Sequence, residues 1–201
     1  MSDFSFRTGS NEINDAMARN FAYPPYVLEL LDTAEGKRID DILQNGYSST
    51  SYPNLKHMRK VHSIGAARNG ILIWRAASAR GPAKIRQNGY EDIIGASATV
   101  HDYGHSAFSH DLERLILHFI KKSHEQVAAD MIVGNYSLQE FYQDLPDTLI
   151  TVQQREAMVE VLRGIPKIPE VLYNYGIPPE TVAQVVDSSR ISDKHARDVI
   201  G

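Results

Sequence analysis

The segment over residues 101–113, HDYGHSAFSHDLE, holds three histidines and three carboxylates within thirteen residues. The adjacent pair His101-Asp102 offers an imidazole nitrogen and a carboxylate oxygen to one divalent cation. His105 follows His101 by four residues, so on a helix both would share one face. A bare His-Asp dipeptide would by itself indicate only a solvated helix end. The density of these groups favours a metal centre surrounded by acid/base side chains.

Helices are the elements expected to position these groups. Apolar residues recur mostly at helical spacing, and no alternating run of β-branched residues reaches the length of a strand. The fold class is therefore predicted to be all-α. One long helix is expected to be capped by Asn54 and to run to about Ala79, before the break at Gly81-Pro82. Another, over about 90–103, is expected to carry His101-Asp102 at its C-terminal end.

The remaining chain is also predicted to be mainly helical. With 201 residues, of which 42% are hydrophobic, the sequence can bury one core, so we predict a single domain over 1–201 with an N-terminal extension over 1–23. The stretch 164–169 contains one glycine and two prolines and is expected to be a linker. Further helices are predicted over about 25–34, 37–45, 108–122, 124–134, 137–143, 148–163, 178–189 and 192–200.

Composition excludes several function classes. The net charge of −4 provides no global basic field, so nucleic acid is not expected as the main partner. The sequence has no cysteine, so a metal site must use histidine, aspartate and glutamate. No apolar run approaches the roughly 18 residues that a membrane span requires. We therefore expect a soluble, cytoplasmic protein that does not bind membranes.

A single His-Asp pair does not complete a coordination shell, so further ligands are needed on other helices. His62 lies in the middle of the predicted long helix, and Asp193 lies near the C-terminus. Asp187 is the alternative to Asp193. The candidates thus occur in the order His, His-Asp, Asp, each on a separate predicted helix.

Short flanking segments accompany these candidates in a fixed order. They are Leu31-Asp32-Thr33, Arg38-Ile39, Leu43 to Gly46, Tyr52-Pro53, Arg59, His62 to Gly65, His101 to His105, Phe108-Ser109-His110 and Ser123 to Gln126. The order of the ligands resembles that of the HD superfamily of metal-dependent phosphohydrolases. The flanking segments are similar to its deoxynucleoside triphosphate triphosphohydrolase branch, which includes bacterial dGTP triphosphohydrolases and a mammalian enzyme that joins a SAM domain to an HD domain. This resemblance spans residues 28–198 and implies an HD-domain helical bundle.

The resemblance implies one metal ion held by His62, His101, Asp102 and Asp193. In the resembled pattern paired serines precede the last ligand, which makes Asp187 a cap or a supporting acid. Two neutral nitrogens and two anionic oxygens balance a divalent charge. Because the set is rich in nitrogen, we expect a transition metal, Mn, Fe, Co, Ni or Zn, whereas Mg²⁺ binds with the substrate phosphates.

The resemblance also implies substrate-binding residues. Arg59 precedes His62 by three residues, so on a helix it shares that face and can reach a phosphate at the metal. Lys194, next to Asp193, has the same role in the resembled family. Gln44 matches a position that contacts the deoxyribose, and Tyr52 is expected to help wall the pocket.

Three histidines are candidates for acid/base catalysis, namely His105, His110 and His124. Positions that match His110, Glu113 and His124 lie beside the scissile α-phosphate in the resembled family. Glu113 follows His110 by three residues and would raise the pKa of a neighbouring imidazole.

The expected function is hydrolysis of a deoxynucleoside triphosphate to deoxynucleoside and inorganic triphosphate. The alternatives are an HD-domain 5′-nucleotidase or phosphodiesterase and, without catalysis, a nucleotide-binding regulatory protein. The resemblance implies a homo-oligomer. The last motif is shorter than in the family and lacks its aromatic residue, and the sequence ends at Gly201, as expected of either a compact minimal member or a fragment.

Overall fold

The computed structural model describes residues 21–52, 56–81, 89–106, 121–144, 147–148 and 151–191. These residues form helices and turns, with an isolated antiparallel bridge between Leu43 and Met58 and no strand among them. The predicted all-α fold class is therefore confirmed.

The helices are short except for one of 22 residues that crosses the core. In chain order they are α1 (Pro25–Asp32), α2 (Ala34–Arg38), α3 (Ser48–Ser51), α4 (Arg59–Arg80), α5 (Tyr90–Val100), α6 (His124–Val133), α7 (Leu138–Asp144), α8 (Val152–Leu162), α9 (Ile168–Asn174) and α10 (Pro179–Val186), with 3-10 turns at Ile39–Asp41 and Ser188–Arg190. The helices predicted over 25–34, 90–103, 124–134, 137–143, 148–163 and 178–189 are present with shifted ends. The predicted helix over 192–200 lies outside the described residues, as does that over 108–122 apart from residues 121 and 122, which are not helical.

The long helix begins later than the sequence suggests. Its first residue is Arg59, and Asn54, the predicted cap, lies outside the described residues. The backbone N–H of Arg59 donates to the Ile42 carbonyl at 2.8 Å, and the N–H of Gln44 donates to the His57 carbonyl at 3.0 Å. This pairing keeps the chain extended up to Met58, so the helix starts only after it.

Two further boundaries differ from the prediction. The helix predicted over 37–45 is wrong over most of its length, because α2 ends at Arg38 and is followed by the 3-10 turn and by the bridge at Leu43. Helix α2 starts at Ala34, because the Thr33 hydroxyl caps it by accepting from the N–H of Gly36 at 3.1 Å. The stretch 164–169 is not entirely a linker, since α9 begins at Ile168. Pro169 is compatible with this start because the first helical turn needs no N–H donor from it.

The core is formed where α1, α4, α5, α6, α9 and α10 meet. Helix α4 packs against α5, and α10 packs against both α5 and α6. Leu30 and Leu31 of α1 and Leu172 of α9 are buried in this core. None of the described helices is long and apolar enough to cross a membrane.

Candidate metal centre

Three side chains from one helix and one turn bring possible metal-ligand atoms together. The Nε2 atoms of His62, on α4, and His101, just after α5, are 3.3 Å apart. The Asp102 carboxylate places one oxygen 3.5 Å from Nε2 of His62 and the other 3.3 Å from Nε2 of His101. Two ligand atoms at about 2.1 Å from one ion are separated by about 3.0 Å at a right angle and about 3.4 Å at the tetrahedral angle. The three groups are therefore close enough together to hold a single metal ion.

The position of His101-Asp102 differs from the prediction in one respect. Helix α5 ends at Val100, so the pair lies in the following turn and not inside the helix. In this turn the N–H of Tyr103 donates to the Val100 carbonyl at 3.0 Å, and the N–H of His105 donates to the Asp102 carbonyl at 3.2 Å. The pair therefore lies in a turn with i→i−3 hydrogen bonds that directly continues the end of α5.

The orientation of His101 is fixed by a hydrogen bond on its other ring nitrogen. Nδ1 lies 2.9 Å from the Ala98 carbonyl oxygen, which can only accept, so Nδ1 carries the proton. The lone pair on Nε2 then faces the proposed ion. Such a bond from the distal nitrogen is the usual way in which a protein sets the tautomer of a metal-binding histidine.

Asp102 is the central acid of the site. It is buried, and its Oδ2 lies 2.5 Å from Nη1 of Arg59, which is itself fully buried. Burial by itself raises the pKa of Asp102, but a hydrogen bond from His105 and the nearby His101 and Arg59 outweigh it and hold the pKa well below its usual range. The carboxylate is thus ionised, which is the form that binds a metal.

Arg59 lies on the Asp102 side of the site. Its Nη2 is also 3.4 Å from the backbone carbonyl of Gln44. The sequence placed Arg59 on the same helical face as His62 but gave no indication that it pairs with Asp102. This ion pair orients the carboxylate toward the two histidines.

A second group of donor atoms shares Asp102 with the first. Asp102, His105 and His124 each place one ligand atom within 4.8 Å of the others. The rings of His105 and His124 stack with centroids 3.7 Å apart, and Nε2 of His124 lies 3.0 Å from a Glu125 carboxylate oxygen. Burial lowers the pKa of His105. The predicted acid/base residues His105 and His124 therefore lie beside Asp102, one of the candidate metal ligands.

The stacked pair depends on a close approach at Gly104. A Cβ atom at this position would lie 1.9 Å from the His124 carbonyl oxygen and 2.8 Å from the Ala128 nitrogen. Only glycine lets the turn after Asp102 contact the first turn of α6, where Ser123 and Gln126 form a capping box.

Gly104→Ala is expected to separate the turn from α6. The added Cβ would clash with backbone atoms of α6, which cannot rotate away as a side chain can. We expect the free energy of unfolding to fall by about 1 to 3 kcal/mol, as for other overpacked sites. Chemical denaturation measures this change. The matched control is Gly65→Ala on α4, where a Cβ meets nothing within 4 Å and stability should be unchanged or higher. A Gly104→Ala variant as stable as the wild type would contradict the close approach.

Arg38 supports the same turn and was not among the predicted site residues. Its Nη1 donates to the His105 carbonyl at 2.8 Å, and its Nη2 donates to the Tyr103 carbonyl. The Tyr103 hydroxyl in turn donates to the Leu30 carbonyl at 3.0 Å. The sequence placed Arg38 in a matching segment but could not reveal these long-range contacts with the backbone.

The remaining predicted residues fall into three groups. The Gln44 side-chain oxygen is buried and accepts no hydrogen bond from a described residue, whereas Tyr52 is 64% exposed.

Asp187, the alternative to Asp193, caps the 3-10 turn, since its carboxylate accepts from the N–H of Ser189 at 3.1 Å. It belongs to neither of the two clusters of donor atoms described above. The residues outside the described ranges are His110, Glu113, Asp193 and Lys194.

Comparison with known proteins identifies relatives that include two named as deoxynucleoside triphosphate triphosphohydrolases and one that is uncharacterized. A deoxynucleoside triphosphate triphosphohydrolase SAMHD1 homolog from Dictyostelium discoideum is 30% identical over 149 residues, covering 71% of this chain and 29% of that protein. The deoxynucleoside triphosphate triphosphohydrolase SAMHD1 of Bos taurus is 26% identical over 184 residues, covering 80% of this chain and 31% of that protein. An uncharacterized protein from Methanocaldococcus jannaschii is 32% identical over 101 residues, covering 50% of this chain and 20% of that protein. The chain thus spans less than a third of the length of these relatives. No protein-family model matches it.

Proposed function

Because the chain belongs to the SAMHD1 family of deoxynucleoside triphosphate triphosphohydrolases, we propose that it is a metal-dependent phosphohydrolase that converts a dNTP to deoxynucleoside and inorganic triphosphate. The observation that carries this proposal is the convergence of His62, His101 and Asp102 at metal-ligand spacing, beside the stacked pair His105 and His124. The dNTP substrate is taken from the names of the relatives.

The ligand set is completed by Asp193 in this proposal. A nitrogen-rich set of two imidazoles and two carboxylates suits Mn, Fe, Co, Ni or Zn, and Mg²⁺ accompanies the substrate phosphates. When bound, the ion supplies Lewis acidity toward a phosphoryl oxygen. Burial lowers the pKa of His62 and so favours the neutral imidazole that binds a metal.

Substrate binding is assigned to residues around this centre. Arg59 and Lys194 supply positive charge for the triphosphate. Gln44 is assigned to the deoxyribose, a role supported by its buried side-chain oxygen, which could accept from a sugar hydroxyl. Tyr52 is proposed to wall the pocket from its exposed position.

The reaction adds one water across the bond between the α-phosphorus and the sugar oxygen. The water oxygen stays on the triphosphate, and the departing sugar oxygen takes a proton. We assign the general acid to His124 or His110. His124 is held for this by its stack on His105 and by Glu125, whose carboxylate oxygen lies 3.0 Å from its Nε2. His105 and Glu113 are proposed to support proton transfer.

Product identification tests this proposal. The purified chain is incubated with each dNTP and each dNMP in the presence of Mn²⁺, Fe²⁺, Co²⁺ or Mg²⁺, and products are quantified by chromatography. We expect deoxynucleoside and inorganic triphosphate in equal amounts from a dNTP and no turnover of dNMP. Stepwise release of dNDP, or turnover of dNMP alone, would move the assignment to a different phosphohydrolase. Absence of turnover with wild-type metal content would favour a nucleotide-binding regulatory role.

A further inference from the structure

A cavity lies between α2, α7 and α8, and its lining includes none of the candidate metal ligands. Its volume is about 460 Å³, and sites that bind small molecules typically measure about 300 to 1,000 Å³. The lining is mainly apolar, with one charged side chain, and the residues that matter here are Ala34, Arg38, Leu138, Tyr142, Ala157 and Met158. Such a lining suits the aliphatic part of a ligand, because apolar groups gain free energy when they leave water.

Helix α8 leaves apolar side chains in contact with water beside this cavity. None of its residues is buried, and Val161, which also lines the cavity, is 72% exposed. The helix is fixed at its start by a capping box between Thr151 and Gln154, and it packs against α7. A ligand in the cavity would therefore bury apolar surface on a helix that is already formed.

Arg38 is the charged residue of the lining. Among the described residues, its guanidinium donates to the backbone carbonyls of His105, at 2.8 Å, and Tyr103, and no carboxylate pairs with it. Glu35, the acid of the same helix, instead accepts from the N–H of Leu138 at 3.2 Å. Nε of Arg38 is buried and has no hydrogen-bond partner in the described part of the chain. Because a guanidinium carries five N–H donors, Arg38 retains donors for a further acceptor.

The environment of Arg38 favours a negatively charged acceptor. Burial lowers the pKa of Arg38, and the nearby Tyr136, Glu35 and Tyr142 offset this only in part. An arginine nevertheless stays protonated in a protein, so its positive charge is held at a cost in desolvation. A carboxylate would compensate that charge, since it can accept two parallel hydrogen bonds from one guanidinium.

We propose that this cavity binds an aliphatic carboxylate, with the chain against the apolar side chains of α7 and α8 and the carboxylate on Arg38. The site is separate from the proposed dNTP site and does not depend on the function proposed above. Because Arg38 also holds the carbonyls of Tyr103 and His105, the bound carboxylate contacts the residue that supports the turn of the candidate metal centre.

Titration calorimetry with decanoate and decanol tests the proposal. The two probes share one chain and differ in the charge of the head group. We expect the wild type to bind decanoate at least about tenfold more tightly than decanol, the lower end for a hydrogen bond to a charged group. Arg38→Gln should remove this preference by weakening decanoate binding while decanol binding stays the same. If Arg38→Gln fails to fold, the comparison of the two probes on the wild type still tests the charge.

A second variant tests the location. Ala157→Trp places a large side chain in the cavity from an exposed position on α8, so it should abolish binding of both probes without disturbing the core. The matched control is Glu156→Trp, because Glu156 is exposed on the opposite face of α8 and should leave both affinities unchanged. Failure of the wild type to bind decanoate, or an unchanged decanoate affinity in Ala157→Trp, would overturn the inference. Equal affinities of the wild type for decanoate and decanol would overturn it as well, since Arg38 would then not recognise the head group.

Discussion

Asp102→Ala is expected to abolish both bound metal and hydrolysis. Asp102 belongs to both groups of donor atoms, and its carboxylate lies 3.3 to 3.5 Å from the Nε2 atoms of His62 and His101. Without it the proposed ligands are two imidazoles and one carboxylate, whose single negative charge no longer balances that of a divalent ion. Metal content is measured by elemental analysis of the purified variant, and activity is measured as deoxynucleoside release from dNTP.

The same substitution should also destabilise the fold. It leaves Arg59, which is 0% exposed, without its carboxylate partner, and breaking a buried ion pair in this way costs about 3 to 5 kcal/mol. Asp102→Asn serves as a second variant, because its amide keeps the shape and can still accept one hydrogen bond from Arg59. It should fold better and still lose the metal. Asp147→Ala is the surface control, since Asp147 is 70% exposed in its pair with Arg155. Full metal occupancy in both Asp102 variants would count decisively against ligation.

His124→Ala is expected to separate chemistry from metal binding. The side chain stacks on His105 but is not part of the group formed by His62, His101 and Asp102. Loss of a proton-transfer residue should lower kcat by roughly 10² to 10⁴ while KM and metal content change little. Steady-state kinetics and elemental analysis on one preparation measure both quantities.

His124→Gln strengthens this experiment, because glutamine fills similar space and forms hydrogen bonds but does not titrate. A comparable loss of kcat in both variants supports proton transfer by His124. Recovery of kcat in His124→Gln would indicate that the residue acts through packing against His105. An unchanged kcat in His124→Ala would leave His110 as the general acid. Loss of bound metal in His124→Ala would instead place His124 among the metal ligands.

The all-α fold class was predicted correctly from the sequence. His62, His101, His105 and His124 were selected from motif order, and the structure brings all four around Asp102. The periodicity of apolar residues predicted most helices, and several of them bury one face, as α1 does with Val27, Leu30 and Leu31. Helix ends were less predictable, since the start of α4 depends on backbone pairing with a segment 15 residues away.

Long-range polar contacts were the features that the sequence could not reveal. Helical spacing places Arg59 near His62, but only the fold shows that its guanidinium is buried against Asp102. Likewise, nothing in the local sequence indicates that Arg190 pairs with Asp130, which is 60 residues earlier. Gly104 belongs to a recognisable motif, yet its role emerges only from its contact with α6.

The most direct test of the proposed reaction is a ³¹P NMR measurement of dNTP hydrolysis in water enriched in ¹⁸O. We expect inorganic triphosphate as the first phosphorus product, formed in an amount equal to deoxynucleoside, with the label on one terminal phosphorus because water attacks the α-phosphorus. Orthophosphate or pyrophosphate as the first product, or unlabelled triphosphate with ¹⁸O in the deoxynucleoside, would contradict it.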